Sequence, residues 1–303
     1  MTEAQASPSR THAIFSPTRI WALARVTFTQ LVRMKVFYFM LIFCAVVIGA
    51  TFIFLEYSFE EELKLIKDVS LGAMQLFATI FAIVGTALLL PRDLEDRTLY
   101  TILCKPVPRL EYLLGKLLGV LLLIAISLVL MDVLFTAVLF AKQSAIAART
   151  EEALALKGAS ELEIARTLEI IAKQGVTWNL LNGVAAIFMK SCVAAAVALM
   201  VSTFASSTLF TIIVSFVVYF VGHIQALARD FWLGGMITDT VERLIAVVVS
   251  LLFPDFQLFN IVDGVVAGEP VPLLTMAKLA GLTLVYLAVY NFAAFFVFAD
   301  KEL

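Results

Sequence analysis

Six long, continuously apolar stretches constrain this chain more than any other feature. They run Val36–Leu55, Val69–Leu90, Leu113–Ala141, Trp178–Val201, Leu209–Ala228 and Leu273–Ala299. Crossing a bilayer takes roughly 20 predominantly apolar residues, and each stretch meets that length. Backbone N–H and C=O groups find no water in hydrocarbon, so a spanning segment must be a helix or part of a closed barrel. Barrel strands alternate apolar and polar residues; these stretches do not. The expected fold is therefore an all-α membrane protein of six transmembrane helices. Charged residues make up 15% of the chain, against about 25% in soluble domains.

What is missing narrows the chemistry. No Gly-x-x-x-x-Gly-Lys-Ser/Thr loop is present, since Gly115-Lys116 is followed by leucine. Any ATP hydrolysis is expected from another chain. Only His12 and His223 occur, which excludes an HExxH zinc site. No nucleophile–base pair stands out, so no catalytic residue and no metal site is assigned. A net charge of -2 gives no reason to expect nucleic acid. Cys44, Cys104 and Cys192 do not form a disulfide framework. The first apolar stretch begins too late for a secretory signal and reads as an uncleaved anchor.

The N-terminal residues 1–15 read as a disordered tail, and 16–303 as one transmembrane domain. Ser16-Pro17 resembles an N-cap followed by proline at the first helical position. At 100° per residue, Ile20, Trp21, Ala24, Phe28, Leu31 and Val32 share one face, while Arg19, Arg25, Gln30 and Arg33 share the other. This is the pattern of an interfacial helix, with Trp21 and Phe28 toward acyl chains and Arg25 and Arg33 at headgroups. A helix packed on a partner fits the same pattern.

Lysine and arginine counts near the spans set orientation. The N-terminal segment carries Arg10, Arg19, Arg25, Arg33 and Lys35 against Glu3. The loop after Tyr57 is acidic. The expectation is a cytoplasmic N-terminus, a cytoplasmic 91–112 loop and, after six spans, a cytoplasmic C-terminus in a plasma or inner membrane. Residues 142–177 then form an external helical segment, either a hairpin or extensions of spans three and four. Ser160 and Glu163 suggest a capping box, with Gly158 separating two helices and Gly175 ending the second. Residues 229–272 form an external region in which Leu244–Phe253, too short to span, reads as a re-entrant helix.

The loop Pro91–Arg109 is dense in charge and proline. A short helix is expected from Pro91, with Asp93, Glu95 and Asp96 near its positive end. Leu99, Ile102 and Leu103 follow at helical spacing, and Lys105-Pro106-Val107-Pro108-Arg109 breaks the helix before Tyr112, Gly115 and Lys116 lead into span three. Such an element presents an apolar knob ringed by charge to a soluble partner. Packing of the stripe on its own chain is the alternative.

This stretch resembles the cytoplasmic loop of permease subunits in the type-2 export family of ATP-binding-cassette transporters. The resemblance rests on Glu95, on Arg97-Thr98-Leu99, on Lys105-Pro106-Val107-Pro108-Arg109 and on Leu114-Gly115-Lys116. Arg97 departs from the glycine that many members carry there. The segment from Ile20 to Phe28 is similar to the family's N-terminal connecting helix, and Pro254 to Asn260 to the segment after its external re-entrant helices. The resemblance implies two membrane subunits, identical or not, each with a separate ATPase subunit that binds ATP and Mg. It also implies that Glu95, Arg97, Thr98, Leu99, Ile102, Leu103, Lys105, Pro106, Arg109 and Lys116 make or shape the coupling contact. A carrier driven by an ion gradient and a non-transporting scaffold are the competing readings.

Three ionisable residues fall inside apolar stretches: Asp132, Lys190 and His223. Such groups cost about 2.5–3.5 kcal/mol each on insertion scales and mark a partner or a wet cavity. Counted back from the outer ends, Asp132 and Lys190 come to roughly 14 and 18 Å deep. The expectation is an Asp132–Lys190 ion pair, with His223 nearby, a lining of the transport path, or a proton relay.

Overall fold

The computed structural model describes residues 16–54, 59–95, 108–205, 207–233 and 253–299. Among them every regular element is helical. In chain order these are α1 (Pro17–Val32), α2 (Lys35–Phe54), α3 (Phe59–Ala87), α4 (Leu89–Glu95), α5 (Arg109–Leu156), α6 (Glu161–Gln174), α7 (Asn179–Phe204), α8 (Thr208–Leu233), a 3-10 turn (Phe256–Phe259), α9 (Val262–Ala267) and α10 (Leu273–Ala299). Five helical runs are long and apolar enough to cross a membrane: Glu62–Pro91, Arg109–Leu156, Glu161–Phe204, Thr208–Gln225 and Leu273–Ala299. They contain the second to sixth predicted stretches, nearly whole. The first stretch lies in α2, which meets α1 at a bend of 67°, so α1 and α2 make a sixth candidate only as a bent pair.

The core centres on α7, against which α3, α5, α8, α9 and α10 all pack. From Lys190 to Leu199 every side chain of α7 is buried. The run Ala194-Ala195-Ala196-Val197-Ala198 explains this placement, because small side chains let neighbouring helices approach from all sides. A helix apolar all round belongs in the interior. By contrast, Val129, Val133 and Phe140 on α5 and Phe296 on α10 point outward, each at least 62% exposed. That large apolar exterior fits lipid as the surrounding solvent.

The apolar stretch of the third span ends near Ala141, and α5, 48 residues in all, continues without a break to Leu156, so the expected extension of span three and the expected hairpin are both present. At 1.5 Å per residue α5 measures roughly 72 Å, more than twice the ~30 Å hydrocarbon core. Residues 142–156 are rich in Ala, with Leu and Glu, all good helix formers, so nothing stops the helix before Gly158. There φ is +69°, a conformation that costs glycine little. Ser160 then caps α6 in a full capping box with Glu163, and α6 folds back along α5. Ile146 and Ile171 are buried in this hairpin. Gln143 Oε1 accepts from the Val176 N–H at 3.1 Å, and Lys142 donates to Glu62 at 2.6 Å, which ties the hairpin to α3.

The predicted re-entrant helix Leu244–Phe253 lies almost wholly outside the described residues. After it, Phe256 and Phe259 are buried in the 3-10 turn, and Asp255 accepts from the Gln257 N–H at 3.0 Å. α4 begins at Leu89, two residues before the expected Pro91. The chain turns at Leu88 and re-forms a helix at once.

Candidate functional site at the base of the charged loop

The start of α5 is where the ends of three other elements meet. Arg109 donates from Nη1 to the Phe298 carbonyl at 2.8 Å and to the Ala299 carbonyl, at the C-terminal end of α10. Among the described residues those carbonyls have no partner within their own helix, and a cation there also complements the helix dipole. The Arg109 guanidinium lies 5.7 Å from the Phe298 ring centroid. Three residues on, Tyr112 stacks on the same ring at 6.1 Å.

Tyr112 also reaches α4. Its hydroxyl donates to Asp93 Oδ2, and Lys116 Nζ lies 2.6 Å from the same oxygen. All three side chains are buried. Tyr112 and Lys116 are one helical turn apart and share a face, so together they grip one carboxylate. Asp93 therefore anchors the end of span two to the start of span three. Its place near a helix start is secondary.

Glu111 points the other way, to α1. It is buried and accepts from Arg19 Nε at 2.7 Å, from Arg19 Nη2 at 2.9 Å and from the Ser16 N–H at 2.7 Å. The forked geometry matches guanidinium to carboxylate. Above the ion pair, α1 and α5 touch backbone to backbone. A Cβ added at Gly119 would lie 2.6 Å from Thr27 Cβ and 2.7 Å from the Ala24 carbonyl oxygen. One added at Gly115 would meet Leu23 and the Ile20 carbonyl. The pair forms a Gly-x-x-x-Gly seam of the kind that lets two helices approach closely in membranes.

This seam corrects the reading of α1. The buried stripe runs through Ala24, Thr27 and Leu31, with Ile20 and Leu23 beside it. The face expected from periodicity was centred nearer Trp21 and Phe28. Trp21 is 58% exposed, Phe28 is half-buried, and Arg25 and Arg33 are exposed. Periodicity found an apolar side but could not tell the part that meets protein from the part left for the membrane interface.

The predicted coupling residues divide accordingly. Arg97, Thr98, Leu99, Ile102, Leu103, Lys105 and Pro106 lie outside the described residues. Glu95 is the last described residue of α4, and its side chain is likewise outside them. Arg109 and Lys116 face their own chain, where they fix the geometry of the loop's base. Glu111, Tyr112 and Asp93 complete the junction, and the sequence reading did not pair them. Their only signal was a group of polar residues at the threshold of an apolar stretch.

No family model matches the chain, and no curated protein matches it.

The ionisable residues of the apolar stretches stand apart from the junction; Lys190 and His223 share the Tyr219 ring, as expected of neighbours, while Asp132 lies in a different place. Lys190 is buried on α7, with Nζ 5.9 Å from the Tyr219 ring centroid. Asp263 and His223 are the ionisable groups whose fields it shares. His223 packs on Tyr219 at 4.4 Å and Phe256 at 5.7 Å, and its Nδ1 lies 2.9 Å from the Tyr219 carbonyl oxygen. Asp132 is half-buried and lines a groove between α5 and the start of α7. Among the described residues no ion pair joins Asp132 and Lys190. The two carry opposite charge on neighbouring helices but face different surroundings. Among the same residues, no group of three or more His, Cys, Asp or Glu could hold a metal.

Proposed function

We propose that this chain is the membrane-spanning subunit of an ATP-driven exporter. In this reading it crosses the membrane six times, through α2, α3, α5, α7, α8 and α10, with both termini in the cytoplasm. α1 lies along the cytoplasmic interface. A second permease subunit completes the transport path, and a separate ATP-binding-cassette subunit sits beneath the 91–112 loop. ATP and Mg belong to that partner.

The observation that carries the reading is the junction at 109–116. Within eight consecutive residues, one helix start is bonded to α1 by Glu111, to α4 by Tyr112 and Lys116, and to α10 by Arg109. The loop that ends here is the one whose motifs resemble the coupling loop of type-2 permeases. A push on such a loop would reach four elements through direct side-chain bonds rather than dissipate in a flexible linker. The packing of α1 against α5 gives that helix the same connection.

The test is co-purification. Tagged protein in mild detergent should retain an ATPase subunit in stoichiometric amount, and ATPase activity should co-elute. Replacing Leu99, Ile102 and Leu103 together with serine should release it while leaving the membrane subunit folded. A preparation with no ATPase, or retention that ignores the triple substitution, would overturn the proposal.

A further inference from the structure

Among the described residues, Asp132 is the one charged side chain in the wall of a groove between α5 and the beginning of α7. The groove encloses about 710 Å³, within the usual range for small-molecule sites. Thr136 and Phe140 continue the wall along α5; Val176, Trp178 and Leu181 close the other side. Apart from Asp132 and two threonines the lining is apolar. The residues beyond its rim, Val129 and Leu130, are exposed and apolar as well, so the groove opens toward lipid.

The carboxylate is what needs explaining. No salt bridge reaches it among the described residues, and Lys190 lies against the Tyr219 ring instead. A carboxylate in an apolar stretch is costly unless a cation or a proton meets it. The groove is too apolar for a small inorganic ion, which would have to exchange its hydration shell for threonine hydroxyls and one carboxylate. An organic cation with a spread charge is weakly hydrated and brings apolar surface of its own. Trp178, 87% exposed, stands at the mouth, where an indole face attracts cations. From Phe140 to Asp132 the helix rises about 12 Å, long enough to bury an apolar body alongside the charge.

We propose that this groove binds a lipophilic organic cation, its charge against Asp132 and its apolar body along Phe140, Trp178 and Leu181. On the exporter reading it would be a site for cargo or for a modulator. Binding itself requires no ATPase partner, so a failure to bind and a failure to recruit an ATPase are separate results.

Tetraphenylphosphonium is a suitable probe, with tetraphenylborate as the anion of the same shape. Radiolabelled tetraphenylphosphonium should bind the full chain saturably in phosphatidylcholine nanodiscs, and radiolabelled tetraphenylborate, tested by itself, should not. Asp132→Asn should weaken binding roughly tenfold or more, as expected for removing one partner of a largely desolvated charge pair. Leu181→Trp, which fills the groove and keeps the charge, should abolish it. Glu169→Gln, on exposed α6, should leave it unchanged. If Asp132→Asn fails to fold, the Leu181→Trp result decides. Absent saturable binding, equal affinity in Asp132→Asn, full binding in Leu181→Trp, or equally tight saturable binding of tetraphenylborate by itself would each overturn the proposal. So would a disulfide between two copies of Asp132→Cys, which would put a neighbouring subunit in the groove.

Discussion

Arg19 and Glu111, 92 residues apart in sequence, close a two-pronged ion pair through Nε at 2.7 Å and Nη2 at 2.9 Å. The pair fixes the N-terminal end of α1 to the first turn of α5. Arg19→Glu should therefore free that end of α1 and speed tryptic cleavage at the exposed Arg25 and Arg33. Combining it with Glu111→Arg should restore protection. A double variant as open as the single would refute the pairing.

The seam above the ion pair tolerates no side chain. Gly119→Val should cost about 1–3 kcal/mol, the usual range for overpacking a tight contact. Thermal unfolding in detergent reads the loss, and a cysteine pair across α1 and α5 reads the separation. Gly281 on α10 has open space around the position of a Cβ, so Gly281→Val is the matched control and should change little.

Asp93 and Lys116 should behave as one unit. In a double-mutant cycle, Asp93→Asn and Lys116→Met should show a coupling free energy of about 0.5–3 kcal/mol, as residues in one polar network do. The double variant should be less damaged than the sum of its parts, because it leaves no buried charge behind. Additive losses would mean that the two side chains act separately.

Asp132 and Lys190 should give the opposite result. They share no bond, so exchanging their charges, Asp132→Lys with Lys190→Asp, should rescue neither single variant. Folded yield measured by gel filtration tests this. A rescue would restore the ion pair that the sequence suggested.

Orientation can be read with a native residue. Cys44 and Cys192 are buried, while Cys104 lies in the charged loop. A membrane-impermeant maleimide should label Cys104 only after cells are opened. A cysteine at Lys157, at the tip of the α5–α6 hairpin, should label in intact cells. The reverse pattern would invert the topology.

Local signals in the chain proved informative where the physics is local. Continuous apolar runs marked the helices, because a backbone in lipid must bond within its own segment. Ser160, Glu163 and Gly158 marked the hairpin turn, because caps and left-handed turns involve neighbours in sequence. The junction was hidden for the converse reason. Glu111, Tyr112 and Asp93 are common residues at a span boundary, and only tertiary placement tells which carboxylate meets Arg19 and which meets Lys116. The true packing face of α1 depended on Gly115 and Gly119, two small residues in a different helix. The sequence left residues 142–177 as a hairpin or as extensions of spans three and four, because hydropathy reports where lipid ends, not where a helix ends.

That length gives α5 the properties of a lever. One rod of 48 residues has its foot clamped among α1, α4 and α10 and carries a hairpin at its far end. A tilt of about 5° at the foot would sweep the tip through about 6 Å, given a rod of roughly 72 Å. The strap from Lys142 to Glu62 holds the rod partway along, so α3 would be drawn with it. A small rearrangement on one side of the membrane would therefore be visible, magnified, on the other.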